Sequence, residues 1–292
     1  MKKLLNVLLS FMLSIFAFSC NEPTNSENIE FANKEKIQSV LQLVGQDHNK
    51  GLEYIYTQLS LEKSTPQNFN ELINSINAKT NTFLGSGTES FVRENLDNAK
   101  NYASISIQNV REKRANNAKI SESENLWKSS DNDKFTTKQK ELLSYLNGAI
   151  NDESLGFQET LDVFAKIRSR AKAECSEQEV FTVLAAVEVG VNSLTYWHKN
   201  IDKWANLMDD IESKSFNGRG NLAIVAKKDF NWKSVAKSDV SGAVGTAVGI
   251  GVVALVSGPV GWGAAGAGVL GGAVGASATD AVNQLLDSFF GG

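Results

Sequence analysis

Cross-linking, metal and thiol chemistry have little to work with in this chain. It contains two cysteines, Cys20 and Cys175, and two histidines, His48 and His198, and these four residues show no metal-ligand spacing. Only three prolines occur, Pro23, Pro66 and Pro259. Between about Glu35 and Ile211 the single proline is Pro66, and β-branched alternation is scarce, so nothing there argues against helices. No Gly-rich loop ends in the Lys-Ser/Thr pair that holds a nucleotide phosphate. A net charge of −4 spread over a mixed surface gives no footing for nucleic acid. The most informative absence is local: no charged residue occurs between Asp239 and Asp280.

That uncharged run, Val240 to Ala278, would make one straight helix of roughly 58 Å, about twice the hydrocarbon thickness of a bilayer. Gly258 and Pro259 fall near its middle, where a helix should break, and leave two arms that each match a membrane crossing in length. A helical hairpin is therefore expected. In the second arm Ala264, Gly268, Gly272 and Ala276 form one row of small residues, and Gly263, Ala267, Gly271 and Gly275 form the adjacent row. The first arm offers Ser241, Gly245 and Gly249 in one row and Ser238, Gly242 and Thr246 in the next. Such rows let helix backbones approach closely, the spacing of a glycine zipper. Each interior glycine costs a helix about 0.8–1.0 kcal/mol relative to alanine, so something must cover these arms. Lipid, the protein's own core and another copy of the chain are the three candidates. Neither arm is rich in Leu or Phe, which makes insertion conditional rather than constitutive.

The middle of the chain reads as an all-α helical bundle. Ile37, Val40, Leu41 and Val44 keep helical spacing before Gly45, and Leu52, Ile55, Tyr56 and Leu59 keep it after, with His48 placed in an inter-helix turn. Thr65-Pro66 is expected to open the next helix, which Gly85 and Gly87 end. A longer helix follows from Phe91 to Val110, then a polar loop or weak helix from Asn116 to Asp133 around Trp127. The most regular stretch is Ser176 to Ile211. Val180, Leu184, Val187, Val191, Leu194, His198, Ile201, Ala205 and Met208 form one stripe, and Val183, Gly190, Trp197, Trp204 and Ile211 a second ridge. Two apolar ridges predict the long central helix of the bundle, with Gly190 where another helix comes close.

At the N-terminus, Lys2 and Lys3 precede an apolar run from Leu4 to Phe18 and small Ser19, the layout of a secretory signal peptide. Ala17-Phe18-Ser19-Cys20 resembles the lipobox of bacterial lipoproteins, which implies cleavage before Cys20 and acylation of it. With Cys20 acylated, Cys175 is the one thiol left and no intramolecular disulfide can form. The polar stretch after Cys20, with Glu22, Glu27 and Glu30, reads as a tether, and its acidity is similar to the export signal of surface-exposed outer-membrane lipoproteins.

Candidate chemistry elsewhere is thin. His198 lies beside Trp197 and one turn before Asp202 and reads as a structural histidine; Cys175 with His198 lacks a third orienting group. Glu153 with Glu159, and Asp209 with Asp210, read as solvated helix ends. No catalytic residues, metal or cofactor are expected. The hairpin's flanks say more. Lys227, Lys228, Phe230, Trp232, Lys233 and Lys237 precede it, and Val282, Leu285, Leu286, Phe289 and Phe290 follow at helical spacing. A hairpin brings both flanks to one side, so Phe230, Trp232, Phe289 and Phe290 are placed as interfacial anchors, with Trp262 by the opposite turn. The same aromatics could instead dock the hairpin on the helical domain.

The C-terminal segment resembles the glycine-zipper, bacteriocin-like hairpins of secreted bacterial proteins, a likeness carried by Gly245-xxx-Gly249, Gly268-xxx-Gly272 and Gly271-xxx-Gly275. The resemblance implies helix pairing through Gly242, Gly245, Gly249, Gly263, Gly268, Gly271, Gly272 and Gly275 and a lipid membrane as partner. The expected organisation is a signal peptide at 1–19, an acylated tether at 20–34, a helical bundle at 35–215, a linker with the basic and aromatic flank at 216–237, and the hairpin at 238–292. An envelope-associated, lipid-anchored, membrane-active protein is the leading expectation. The alternative is a structural lipoprotein whose zipper makes a homo-oligomer while the bundle engages a protein partner.

Overall fold

Helices form wherever apolar residues recur at three and four and no proline intervenes. The computed structural model describes residues 26–62, 66–115, 126–215, 230–256 and 258–290. They make nine α-helices and one 3-10 helix, with no strand among the described residues. The α-helices are α1 (Ser26–Ser60), α2 (Phe69–Ser86), α3 (Ser90–Glu94), α4 (Leu96–Ala115), α5 (Thr137–Asn151), α6 (Phe157–Glu174), α7 (Glu177–Ser215), α8 (Trp232–Val256) and α9 (Pro259–Phe290); the 3-10 helix, Ser129–Lys134, precedes α5. The all-α reading, the long helix and the hairpin of α8 and α9 all hold. The signal peptide, Cys20 and residues 216–229 lie outside the described residues.

Several expectations are corrected. The stretch read as a tether is helical from Ser26. No turn interrupts α1 at Gly45 or His48. A Cβ on Gly45 would lie 2.3 Å from the Asn192 amide and 2.9 Å from the Glu188 carbonyl, so this glycine serves a close approach of α7 and not a break. The cap of α2 is Asn68, whose side chain accepts from the Glu71 amide at 3.0 Å, rather than Thr65. The stretch expected as linker becomes helix at Trp232. No core boundary separates bundle from hairpin: one continuous apolar cluster runs from Ile37 in α1 through Trp197 in α7 to Leu285 in α9.

The long central helix departs from its expected pattern chiefly at His198. The regular stripe of α7 is buried at Val180, Leu184, Val187, Leu194 and Met208, but His198 is exposed and stacks on Phe157 with ring centroids 4.1 Å apart. The Val183, Gly190, Trp197 and Trp204 ridge is buried along its length, and the first stripe is buried again at Ala205 and Met208 beyond His198. The most enclosed helix is α9. From Gly261 to Leu286 every residue except Ala264 and Gln284 is buried. Helices α1, α4 and α7 run with α9, and α8 runs against it. Contacts fix these directions: Gly266 faces Val40 and Val44 while Gly51 faces Val274, Gly271 faces Ala99 while Gly275 faces Ala103, and Gly242 faces Gly272.

Candidate functional site

Two rows of small residues on α9 receive two different neighbours. The Ala264/Gly268/Gly272/Ala276 row meets α8: a Cβ on Gly268 would come 2.7 Å from Ile250, and one on Gly272 would come 2.6 Å from the Thr246 hydroxyl and 3.3 Å from the Gly242 carbonyl. Its neighbour row meets α3 and α4. There Gly263 faces Phe91, Gly271 has the Ala99 carbonyl 2.0 Å from where its Cβ would stand, and Gly275 has the Ala103 carbonyl at 2.8 Å. Those at Gly271 and Gly275 are approaches to backbone that a side chain there would block.

On α8 the pairing row is Ser238/Gly242/Thr246. The Ser241/Gly245/Gly249 row turns away from α9, which corrects its assignment to helix pairing within the hairpin. Gly245 is exposed with open space where a Cβ would sit, and Gly249 faces the Tyr102 hydroxyl. A helix presents only one row to one partner, and Thr246 and Gly242 already fill that contact. Gly258, with φ +71°, makes the turn between the arms in the left-handed region that favours glycine.

The hairpin's base is held by polar groups that sequence patterns did not single out. Asp239 and His48 are both fully buried, with Asp239 Oδ2 3.3 Å from His48 Nε2, an ion-pair distance without hydrogen-bond alignment. The hydroxyls of Ser193 and Ser277 donate to the same Oδ2, Ser277 at 2.7 Å, and the Trp197 indole N–H donates to Ser277 Oγ at 2.9 Å. On the far side His48 Nδ1 lies 3.0 Å from Asn49 Oδ1. Burial pushes the Asp239 carboxyl above its usual range, against the pull of His48, Ser193 and Ser277. One carboxyl thus ties α1, α7, α8 and α9 together. Asp239 Oδ1 has no hydrogen-bond partner, so the junction is strained in polar satisfaction.

A serine, a histidine and an aspartate in contact invite comparison with a nucleophile triad. In such a triad the imidazole bridges carboxylate and hydroxyl; here both hydroxyls donate directly to the carboxylate, and the group is closed to solvent. The arrangement joins helices. Cys175 and His198 differ in surroundings: Cys175 is buried and its thiol is pushed up to about 11, mainly by burial, while His198 is exposed. Among the described residues no cluster of three or more His, Cys, Asp or Glu could hold a metal.

The aromatic flank docks on the bundle. Phe230 packs on Trp197 at 5.8 Å, Trp232 meets Phe157 edge-on at 6.0 Å, and Trp262 is buried rather than displayed at the turn. The Lys233 ammonium donates to the carbonyls of Asp152 and Leu155, between the end of α5 and the start of α6, and burial lowers its pKa. Asp280 accepts from Ser238 and Gln284, each at 3.0 Å. The side chains of Phe289 and Phe290 lie outside the described residues. No protein-family model, curated protein or solved structure matches this chain.

By length and composition, one described helix is apolar enough to cross a membrane: α7 over Glu177–Lys214, which is mostly buried in the bundle.

Proposed function

We propose that this is an envelope-associated, lipid-anchored protein that stores a membrane-active hairpin in its own core and releases it into a bilayer when the bundle opens. The observation that carries this reading is the position of the uncharged stretch. Val240 to Thr279 lies in two antiparallel helices that meet through glycines, Gly242 against the Gly272 backbone and Gly268 and Gly272 against the side chains of Ile250 and Thr246, while amphipathic helices cover them from outside. Such a pair can leave the core together, because the two arms already pack on one another along their length. Its Gly/Ala composition supplies little drive into lipid, which suits storage in water and entry only once the covering helices are displaced. The bacteriocin-like resemblance supports an activity at a membrane, and the lipobox-like Ala17-Phe18-Ser19-Cys20 supports a place in the envelope.

The alternative is a structural lipoprotein that oligomerises through the zipper. In the closed form the two α9 rows are occupied by α8, α3 and α4, so self-association through them would require those helices to withdraw. Dye-loaded phospholipid vesicles separate the two readings. The purified mature protein is expected to release dye, and Gly268→Leu with Gly272→Leu should abolish release while leaving binding, with Gly245→Leu as the control at an open position. Stable oligomers without release would favour the structural role.

A further inference from the structure

The bundle has a polarity that bears on how the hairpin would enter a membrane. Helices α1, α7 and α9 start at the same end. Asn33 of α1 donates to Glu177 at the start of α7, and Val40 and Val44 of α1 lie against Gly266 of α9. Gly258 precedes Gly266 by eight residues, and Asn33 precedes Val40 by seven, so by about 1.5 Å of rise per residue the hairpin turn and the first turns of α1 stand at one level. The base of the hairpin is at the other end, where Trp232 meets Phe157 and His198.

Chemistry differs between the two ends in the direction insertion needs. At the turn, Val260 is 81% exposed, more than any other large apolar side chain among the described residues, and Phe31 on α1 is also exposed. No charge occurs on either arm from the turn back to Asp239 and Asp280. The charged and polar ties, Asp239 with His48, Lys233 on the α5–α6 carbonyls, Lys237 on Asn151 and Asp280 on Ser238, all lie at the base. A hairpin entering by its turn carries no charge through the hydrocarbon. One entering by its base would carry Lys233, Lys237, Asp239 and Asp280 with it.

The first described residue, Ser26 at the start of α1, lies at the turn end too. Cys20 precedes Ser26 by six positions in sequence, a reach of roughly 20 Å at most. We infer that the hairpin enters tip first, through Gly258–Val260, into the membrane that holds the chain's own lipid anchor, and not into a membrane facing it. This rests on acylation at Cys20 and on the storage reading above. Tethering concentrates the tip at the anchoring bilayer, while a facing bilayer would meet the charged base.

The test uses the full acylated protein reconstituted into vesicles carrying one dye, mixed with protein-free vesicles carrying a second. Release from the anchoring vesicles should exceed release from the others by about tenfold or more, the gain expected from a short tether. Val260→Asp should lower that release by about tenfold or more, because a charge must then cross the bilayer, while Ser213→Asp near the end of α7 should not. Circular dichroism would confirm that both variants fold, as their exposed positions predict. Equal or greater release from the protein-free vesicles, or an inert Val260→Asp, overturns tip-first entry while membrane activity stands. No release from either population, with the protein floating on its vesicles, removes the storage reading as well; failure to float removes the anchor and the inference with it.

Discussion

The two arms of the hairpin share a composition and differ in surroundings. Helix α9 is encased on every side, and both of its small-residue rows touch backbone. Helix α8 gives one row to α9 and a side to α7, and leaves Gly245 in open space. Equal glycine spacing therefore has unequal meaning. A glycine at every fourth position announces that a helix can be approached closely; which positions are approached depends on how many neighbours the helix has.

The largest expected effect tests the enclosed arm. Gly271→Leu places a side chain where the Ala99 carbonyl already stands, and since backbone must move, the loss of stability should be about 3 kcal/mol or more in urea unfolding followed by circular dichroism. Stability near that of the parent would mean that α4 does not press on α9.

Next is the junction that holds the base of α8. Asp239→Ala strips the acceptor from Ser193 and Ser277 and leaves His48 buried without it, which should cost about 1–3 kcal/mol and raise vesicle dye release. The pH dependence has a definite sign. Burial raises the folded-state pKa of Asp239, so its contribution to stability is fully present below the unfolded value near 3.9 and is lost as pH rises through the folded value. His48 is the titratable group that faces it; Lys237 and Asp280 nearby are bonded to Asn151 and Ser238. The stability difference between parent and Asp239→Asn should therefore shrink or reverse from pH 4 to pH 7. A difference that grows over that range would mean that an ionised pair with His48 dominates.

Gly190→Ala, on α7 where α8 and α6 arrive, is a smaller test. Helix propensity alone predicts a gain, but the new Cβ would lie 2.3 Å from the Phe164 ring and 2.9 Å from Val240, so a net loss of about 1 kcal/mol is expected. The smallest effect is on the open row of α8. Gly245→Ala meets nothing and should gain up to about 0.8–1.0 kcal/mol, the full propensity difference, measured against Gly190→Ala in the same assay. A loss there would show that the outer face of α8 is covered.

Much of the fold was legible because its signals are local. The apolar ridges of α7, the break at Gly258-Pro259 and the length of the arms are each decided within a few turns of chain. What sequence reading missed depends on residues that meet across the fold. Gly45 looked like a break because a glycine that ends a helix and one that admits a neighbour are the same letter; Asn192 decides between them. His48 looked like a turn residue for the same reason. Asp239 was visible as the edge of the uncharged run, but its partners Ser193, Ser277 and His48 come from three other helices and share no spacing with it. Docking of the aromatic flank was one of two readings the sequence allowed, and Phe230 and Trp232 take it in the bundle.

Cys175 gives the molecule a built-in clock. It caps the end of α6 at the corner where α7 begins, 2% exposed, with its thiol held protonated at neutral pH by a pKa pushed to about 11. Because the thiolate is the reacting form, electrophiles should meet an inert sulfur as long as that corner stays closed. On the proposed acylation of Cys20, no second thiol competes. The rate at which an alkylating reagent consumes Cys175 then counts openings of the α6–α7 corner in the unmutated protein, and comparing that rate with and without vesicles would time the opening without a single added label.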